Sequence, residues 1–188
     1  ITVAQHSEGD PIPNTKTVDI TQTATAIGSV SFDDALEAVA EAKYGSFSNL
    51  YVKDSDMSGL FAENATFNRS ISNWNNLAQV TTLESLFENA VAYNKAIPVK
   101  NPESGSKTMP LVTNVTKAFK GAVAFNQPVD FDNFGAITDL TSVFEGATAF
   151  SQTVNYDASN ITSLYRSFMG TSITDIPLSS TNTDPALA

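Results

Sequence analysis

One spacing dominates this sequence. An apolar residue followed four positions later by Phe occurs five times, as Met57-Ser-Gly-Leu-Phe61, Leu83-Glu-Ser-Leu-Phe87, Val115-Thr-Lys-Ala-Phe119, Leu140-Thr-Ser-Val-Phe144 and Leu164-Tyr-Arg-Ser-Phe168. Successive Phe residues lie 26, 32, 25 and 24 positions apart, and each is followed by a small residue, read as Ala65, Ala90, Ala122, Ala147 and Thr171. A second motif trails the first in four copies: Phe67-Asn-Arg-Ser-Ile71, Tyr93-Asn-Lys-Ala-Ile97, Phe125-Asn-Gln-Pro-Val129 and Phe150-Ser-Gln-Thr-Val154. Eight of the 12 Phe residues fall in these two registers, so the period organises most of the large apolar side chains. Apolar-Thr pairs at Val80-Thr81, Ile137-Thr138 and Ile161-Thr162 mark a third register.

A unit of about 25 residues cannot bury its own apolar face, so units of this kind must stack on one another. Leu83, Leu86 and Phe87 stand at i, i+3 and i+4, which predicts one or two helical turns per unit. The segments ending at Ile71, Ile97, Val129 and Val154 read as short parallel strands, with Phe131 and Tyr156 turned inward two residues further on. The expected fold is therefore α/β, a leucine-rich-repeat-like solenoid of about five 25-residue coils with Phe61, Phe87, Phe119, Phe144 and Phe168 in one buried ladder. Ser31 as N-cap, Asp34 behind it and Gly45 as a stop predict a capping helix from Ser31 to about Lys43. The expected organisation is an extended arm over 1–30 with a strand near Thr17–Ala24, the capping helix and repeats over 31–176, and a linker or tail over 177–188.

The stretch Asp56-Met-Ser-Gly-Leu-Phe61, followed by Phe67-Asn-Arg-Ser-Ile-Ser-Asn-Trp74, resembles the repeat of the BspA-like leucine-rich-repeat surface proteins. That pattern runs Val-Thr-x-Met, Met-Phe, then Phe-Asn-x-x-Ile and Trp. The resemblance covers about 50–176 in five copies, and later copies carry Phe131 or Tyr156 in place of Trp and Ser151 in place of Asn. It implies a curved α/β solenoid, export to the cell surface, and adhesion or ligand binding to an extracellular protein or glycan.

Composition narrows the chemistry. With no Cys there is no thiolate zinc site, disulfide or Cys nucleophile, and the single His6 lies in a polar N-terminal stretch. A net charge of −10 opposes binding to nucleic acid, which depends on Lys/Arg neutralisation of phosphates. No apolar run is long enough to span a membrane. The opening Ile1-Thr2-Val3-Ala4 has no basic-then-apolar leader, so the sequence reads as a mature chain or part of a longer one, expected to be monomeric.

Among polar candidates, the row Asn68, Asn94 and Asn126 is assigned to the scaffold, since Asn at a fixed place in each unit bonds backbone groups left open by turns. Asp33, Glu37 and Glu41 read as a solvated helix face, and Asp54-Ser-Asp56 as an isolated DxD without a phosphate loop. Asp130-Phe-Asp132 and Asn155-Tyr-Asp157 share a register, so Asp130, Asp132, Asn155 and Asp157 form the candidate weak Ca²⁺ site; no other cofactor is expected. Residues 95–120 carry five Lys and one Glu in an otherwise acidic chain, and the insertion Lys100-Asn-Pro-Glu-Ser-Gly-Ser-Lys107 accounts for the 32-residue spacing. The ligand-binding set is Ser72, Asp130, Asp132, Asn155, Asp157, Lys100 and Lys107. It lies beside the outward row Ser70, Ala96, Pro128 and Thr153. No nucleophile has a base near it in sequence, so the chain is expected not to be an enzyme. The rival readings are a structural spacer that presents a neighbouring domain and a carbohydrate-active or metal-dependent hydrolase using Asp130, Asp132 and Asp157.

Overall fold

A computed structural model describes residues 2–5, 17–19, 50–52, 55–72, 74, 76–98 and 104–174. Strands β1 (Thr2–Gln5), β2 (Thr17–Asp19) and β3 (Leu50–Val52) form an antiparallel sheet in the order β2-β1-β3. Strands β4 (Val129–Asp130) and β5 (Val154–Asn155) pair in parallel, Val129 with Val154 and Asp130 with Asn155. Two short 3-10 segments, Leu77–Gln79 and Phe131–Asn133, complete the regular structure among the described residues.

This overturns the α/β leucine-rich-repeat solenoid. Among the described residues there is no α-helix, and the parallel strands amount to two residues each rather than a continuous wall. The capping helix Ser31–Lys43 and the tail 177–188 lie outside the described residues, as does most of the 1–30 arm. The reason for the missing helical turns is local. In each unit the second residue after the anchor has positive φ, namely Gly59 (62°), Ser85 (53°), Lys117 (57°), Ser142 (55°) and Arg166 (56°). The sixth does so too: Glu63, Asn89, Gly121, Gly146 and Gly170. Two left-handed residues within seven are incompatible with a right-handed helix.

Turns replace it. Alternate N–H groups bond within their own unit, as Leu86 N–H to the Leu83 carbonyl (3.1 Å), Glu88 to Ser85 (3.1 Å) and Ala90 to Phe87 (3.0 Å). The intervening N–H groups donate to the next unit, as Ser85 to Thr116 (2.9 Å), Phe87 to Ala118 (2.8 Å) and Asn89 to Lys120 (2.7 Å). The same alternation recurs from Gly59 to Gly146, so the units are rungs, each bonded to the next by at least three N–H···O contacts, with a fourth from the anchor itself at Met57, Leu83 and Leu140. The apolar spacing was right about which side chains share a face, and wrong about the backbone that brings them there.

The core is a double aromatic stack. Phe61, Phe87, Phe119, Phe144 and Phe168 follow one another at centroid distances of 5.4, 5.6, 5.5 and 5.9 Å. A second column, Phe67, Tyr93, Phe125 and Phe150, runs beside it at 5.7, 5.9 and 5.9 Å. Within a rung the two rings lie 3.7–4.1 Å apart, as at Phe87–Tyr93 (3.7 Å) and Phe119–Phe125 (4.1 Å). Ala90, Ala122 and Ala147 are fully buried against the stack. In the first rung this place belongs to Asn64, whose N–H makes the same turn bond to Phe61; Ala65 is exposed, which corrects the earlier alignment.

Candidate functional site

Two polar side-chain columns give the scaffold its register. The residue just before each anchor is Asp56, Thr82, Asn114, Asp139 or Ser163, and its side-chain oxygen accepts from the N–H two residues on, at 2.7, 3.1, 3.0, 2.7 and 3.3 Å. All five are small oxygen-bearing residues suited to Asx and ST turns. Asp56 is thereby a turn residue, and the Ser58 hydrogen bonds hold its carboxyl below the ordinary value. Sequence reasoning missed this column, although the residue types were a sufficient signal.

The Asn row is structural. The Asn68 side-chain oxygen accepts from Asn94 N–H (3.0 Å), Asn94 from Asn126 N–H (3.0 Å), and Asn126 from Ser151 N–H (3.0 Å). Each oxygen therefore ties one rung to the next. Further side-chain amides join from Gln127 to Asn94 and from Gln152 to Asn126.

The C-terminal rungs carry a cleft of about 180 Å³. Its rim holds Lys107, Asp132, Asp157 and Asn160; Phe131, Ile137, Tyr156 and Ile161 supply apolar wall, with Gly135 and Ala136 completing it. Two similar turns shape it. Asp130 accepts from Asp132 N–H (3.1 Å) and from the Asn133 amide (2.7 Å), which caps the 3-10 segment after β4. Asp157 accepts from Ser159 N–H (3.0 Å), the Ser159 hydroxyl (2.6 Å) and the Asn160 amide (2.8 Å). Both are Asp-x-x-Asn turns, one after each parallel strand.

The chain path makes room for the cleft at Gly135. Its N–H donates to the Val112 carbonyl at 2.8 Å, and a Cβ there would stand 2.7 Å from that oxygen and 2.9 Å from the Pro110 carbonyl. Only glycine permits this approach. Lys107 crosses the rim, donating from Nζ to the Phe134 carbonyl at 2.7 Å. Burial raises the Tyr156 phenol above its ordinary value, whereas the Ser159 hydrogen bonds hold the exposed Asp157 carboxyl below its own.

Of the residues singled out from sequence, Lys107, Asp132 and Asp157 converge on this cleft. Asp130 and Asn155 are backbone partners beneath it, and do not line it. Asp130 and Asp157 are each committed to their own turn. Among the described residues no group of three or more His, Asp or Glu side chains is arranged to hold a metal ion, so the four proposed ligands are not gathered into one set. Ser72 is exposed three rungs away in a turn with Ser70. Lys100 lies outside the described residues, as do His6, Asp33, Glu37, Glu41 and Asp54. Tyr156 and Asn160 were not read as site residues. The repeated Asp-x-x-Asn spacing at Asp130–Asn133 and Asp157–Asn160 was the available signal.

No helix among the described residues is long and apolar enough to cross a membrane. No curated protein and no solved structure matches the chain. A family model described as "Mycoplasma protein of unknown function, DUF285" matches residues 45–109 and 103–186, a span that takes in the whole rung stack, and the chain belongs to that family.

Proposed function

We propose that this chain is an exported cell-surface binding module that recognises a polyhydroxylated ligand, a glycan, at the cleft between the last rungs. The observation that carries this reading is the convergence of an ammonium, two carboxylates and an amide around an apolar wall that includes Tyr156. Ligand sites combine apolar wall with a few placed polar groups in this way. The resemblance of Asp56–Trp74 to BspA-like surface repeats supports adhesion and export as the setting. The exposed row Ser70, Ala96, Pro128 and Thr153 leaves the adjoining face open to a partner. A hydrolase reading gains no support from Asp157, because a general acid needs a raised carboxyl and this one is lowered.

The test is a glycan and matrix-protein array probed with the purified chain, with and without Ca²⁺, followed by Asp132→Asn and Lys107→Ala. Loss of one charge-assisted contact should weaken binding about tenfold. Binding indifferent to both substitutions would remove the cleft from the reading. No binding to any array member by a folded chain would favour a spacer that presents neighbouring domains. Binding that requires Ca²⁺ would return Asp132 and Asp157 to consideration as ligands.

A further inference from the structure

We infer that the cleft between the last rungs takes an amino sugar, a single hexosamine unit whose free ammonium group is received by Asp132 and Asp157. The inference rests on the glycan reading of that cleft and adds which glycan it selects. Charge is the starting point. Two carboxylates and one ammonium reach the cleft, and they do not neutralise each other directly. The Lys107 ammonium donates to a neutral acceptor, the Phe134 carbonyl, at 2.7 Å, and among the described residues it forms no ion pair with either carboxylate. Asp157 is held by neutral donors, the Ser159 N–H and hydroxyl and the Asn160 amide. Asp132 gives its N–H to the turn of Asp130, while its own exposed carboxylate accepts nothing among the described residues.

The hydrogen-bonding capacity left over has the same sign. An ionised carboxylate offers about four acceptor sites, and an ammonium three donors. All the sites of Asp132 are open and about one remains on Asp157, against two donors left on Lys107. The cleft therefore calls for a ligand rich in donors, and one positive charge would bring its rim to neutrality. Hydroxyls supply donors alone; a protonated amine supplies donors and the charge. An acidic sugar would meet a net negative rim on a chain of charge −10. Size sets the rest. At about 180 Å³ the cleft is smaller than the roughly 300–1,000 Å³ that hold drug-sized ligands, so it admits one sugar ring instead of a run of them. Ile137, Tyr156 and Ile161 offer apolar contact to the carbon face of such a ring, and Lys107 and Asn160 remain for its hydroxyls.

Ligand-observed NMR at about pH 6, where Asp carboxyls are ionised, tests this with glucosamine, N-acetylglucosamine, glucose and glucuronate. Glucosamine should bind about tenfold more tightly than glucose or N-acetylglucosamine, the weight of one charge-assisted contact, and glucuronate should not bind. Asp132→Asn keeps the shape of a side chain that makes no bond among the described residues, and should remove most of the glucosamine preference. Asp132→Lys should reverse it in favour of glucuronate. Lys107→Ala removes donors but no carboxylate, so it should weaken glucose and glucosamine together and leave the preference in place. Ethanolamine, an amine without a ring, is the control: binding as tight as that of glucosamine would mean that net charge alone is read, and would overturn the inference. Equal binding of glucosamine and N-acetylglucosamine, or a preference unchanged in Asp132→Asn, would overturn it while the glycan reading stands. No sugar bound by a chain that unfolds cooperatively would overturn both.

Discussion

Tyr93 occupies a place that Phe67, Phe125 and Phe150 fill in the other rungs, and its hydroxyl is buried without a hydrogen-bond partner. Burial raises its pKa far beyond the ordinary phenol range. A buried polar group without a partner costs about 1–3 kcal/mol. Tyr93→Phe should therefore raise stability by about 1 kcal/mol in urea unfolding, and a loss of stability would show that the hydroxyl is satisfied. Asp56 and Asp157 each contribute to acid sensitivity. Both carboxyls are lowered from 3.8 by hydrogen bonds from Ser58 and Ser159, so their contribution is present above that value and is lost as pH falls through the folded-state values below it. The thermal midpoint should drop below pH 3.8, and Asp157→Asn should make that drop shallower. The Asn row was legible at this scale because one residue type at a fixed place announces a fixed backbone need. The Asx and ST column was hidden by its variety, since Asp56, Thr82, Asn114, Asp139 and Ser163 do one job with four residue types.

The seven-residue turn segment of each rung is where sequence reading failed, and the reason can be tested. Leu83, Leu86 and Phe87 satisfy helical spacing, but so does any compact path that returns to the same face every third or fourth residue. The left-handed positions were marked by Gly59, Gly121, Gly146 and Gly170, yet Ser85, Lys117, Ser142 and Arg166 adopt positive φ without being Gly. Lys117→Gly decides between the two backbones by sign. In a helix it would cost about 1 kcal/mol; at φ 57° it should stabilise by about 1 kcal/mol, because a Cβ is strained there. Chemical denaturation of the two proteins distinguishes these outcomes. The candidate cleft was legible in fragments for a similar reason. Asp132 and Asp157 follow β4 and β5, whose pairing the 25-residue register anticipates. Lys107 belongs to the insertion that breaks the period, and no spacing rule could place its ammonium beside the Phe134 carbonyl.

Among the described residues, the stacked rings and inter-rung hydrogen bonds join each rung to its neighbours, so stability should behave as a sum of rung terms and nearest-neighbour terms. Phe119 stacks on Phe87 at 5.6 Å and on Phe144 at 5.5 Å, whereas Phe168, in the last rung, stacks on Phe144 alone among the described rings. Phe119→Ala should cost about 3–5 kcal/mol, the range for a large ring removed from a packed core. Phe168→Ala should cost less, since it removes one stacking partner rather than two. The decisive measurement is coupling. Ring truncations in adjacent rungs, Phe87→Leu with Phe119→Leu, share a contact and should depart from additivity by about 0.5 kcal/mol or more. Phe61→Leu with Phe168→Leu are separated by three intervening rings of the column and should add within about 0.5 kcal/mol. Strong coupling between the terminal rings within one chain would mean that the rungs fold as one rigid body instead of a string of neighbours.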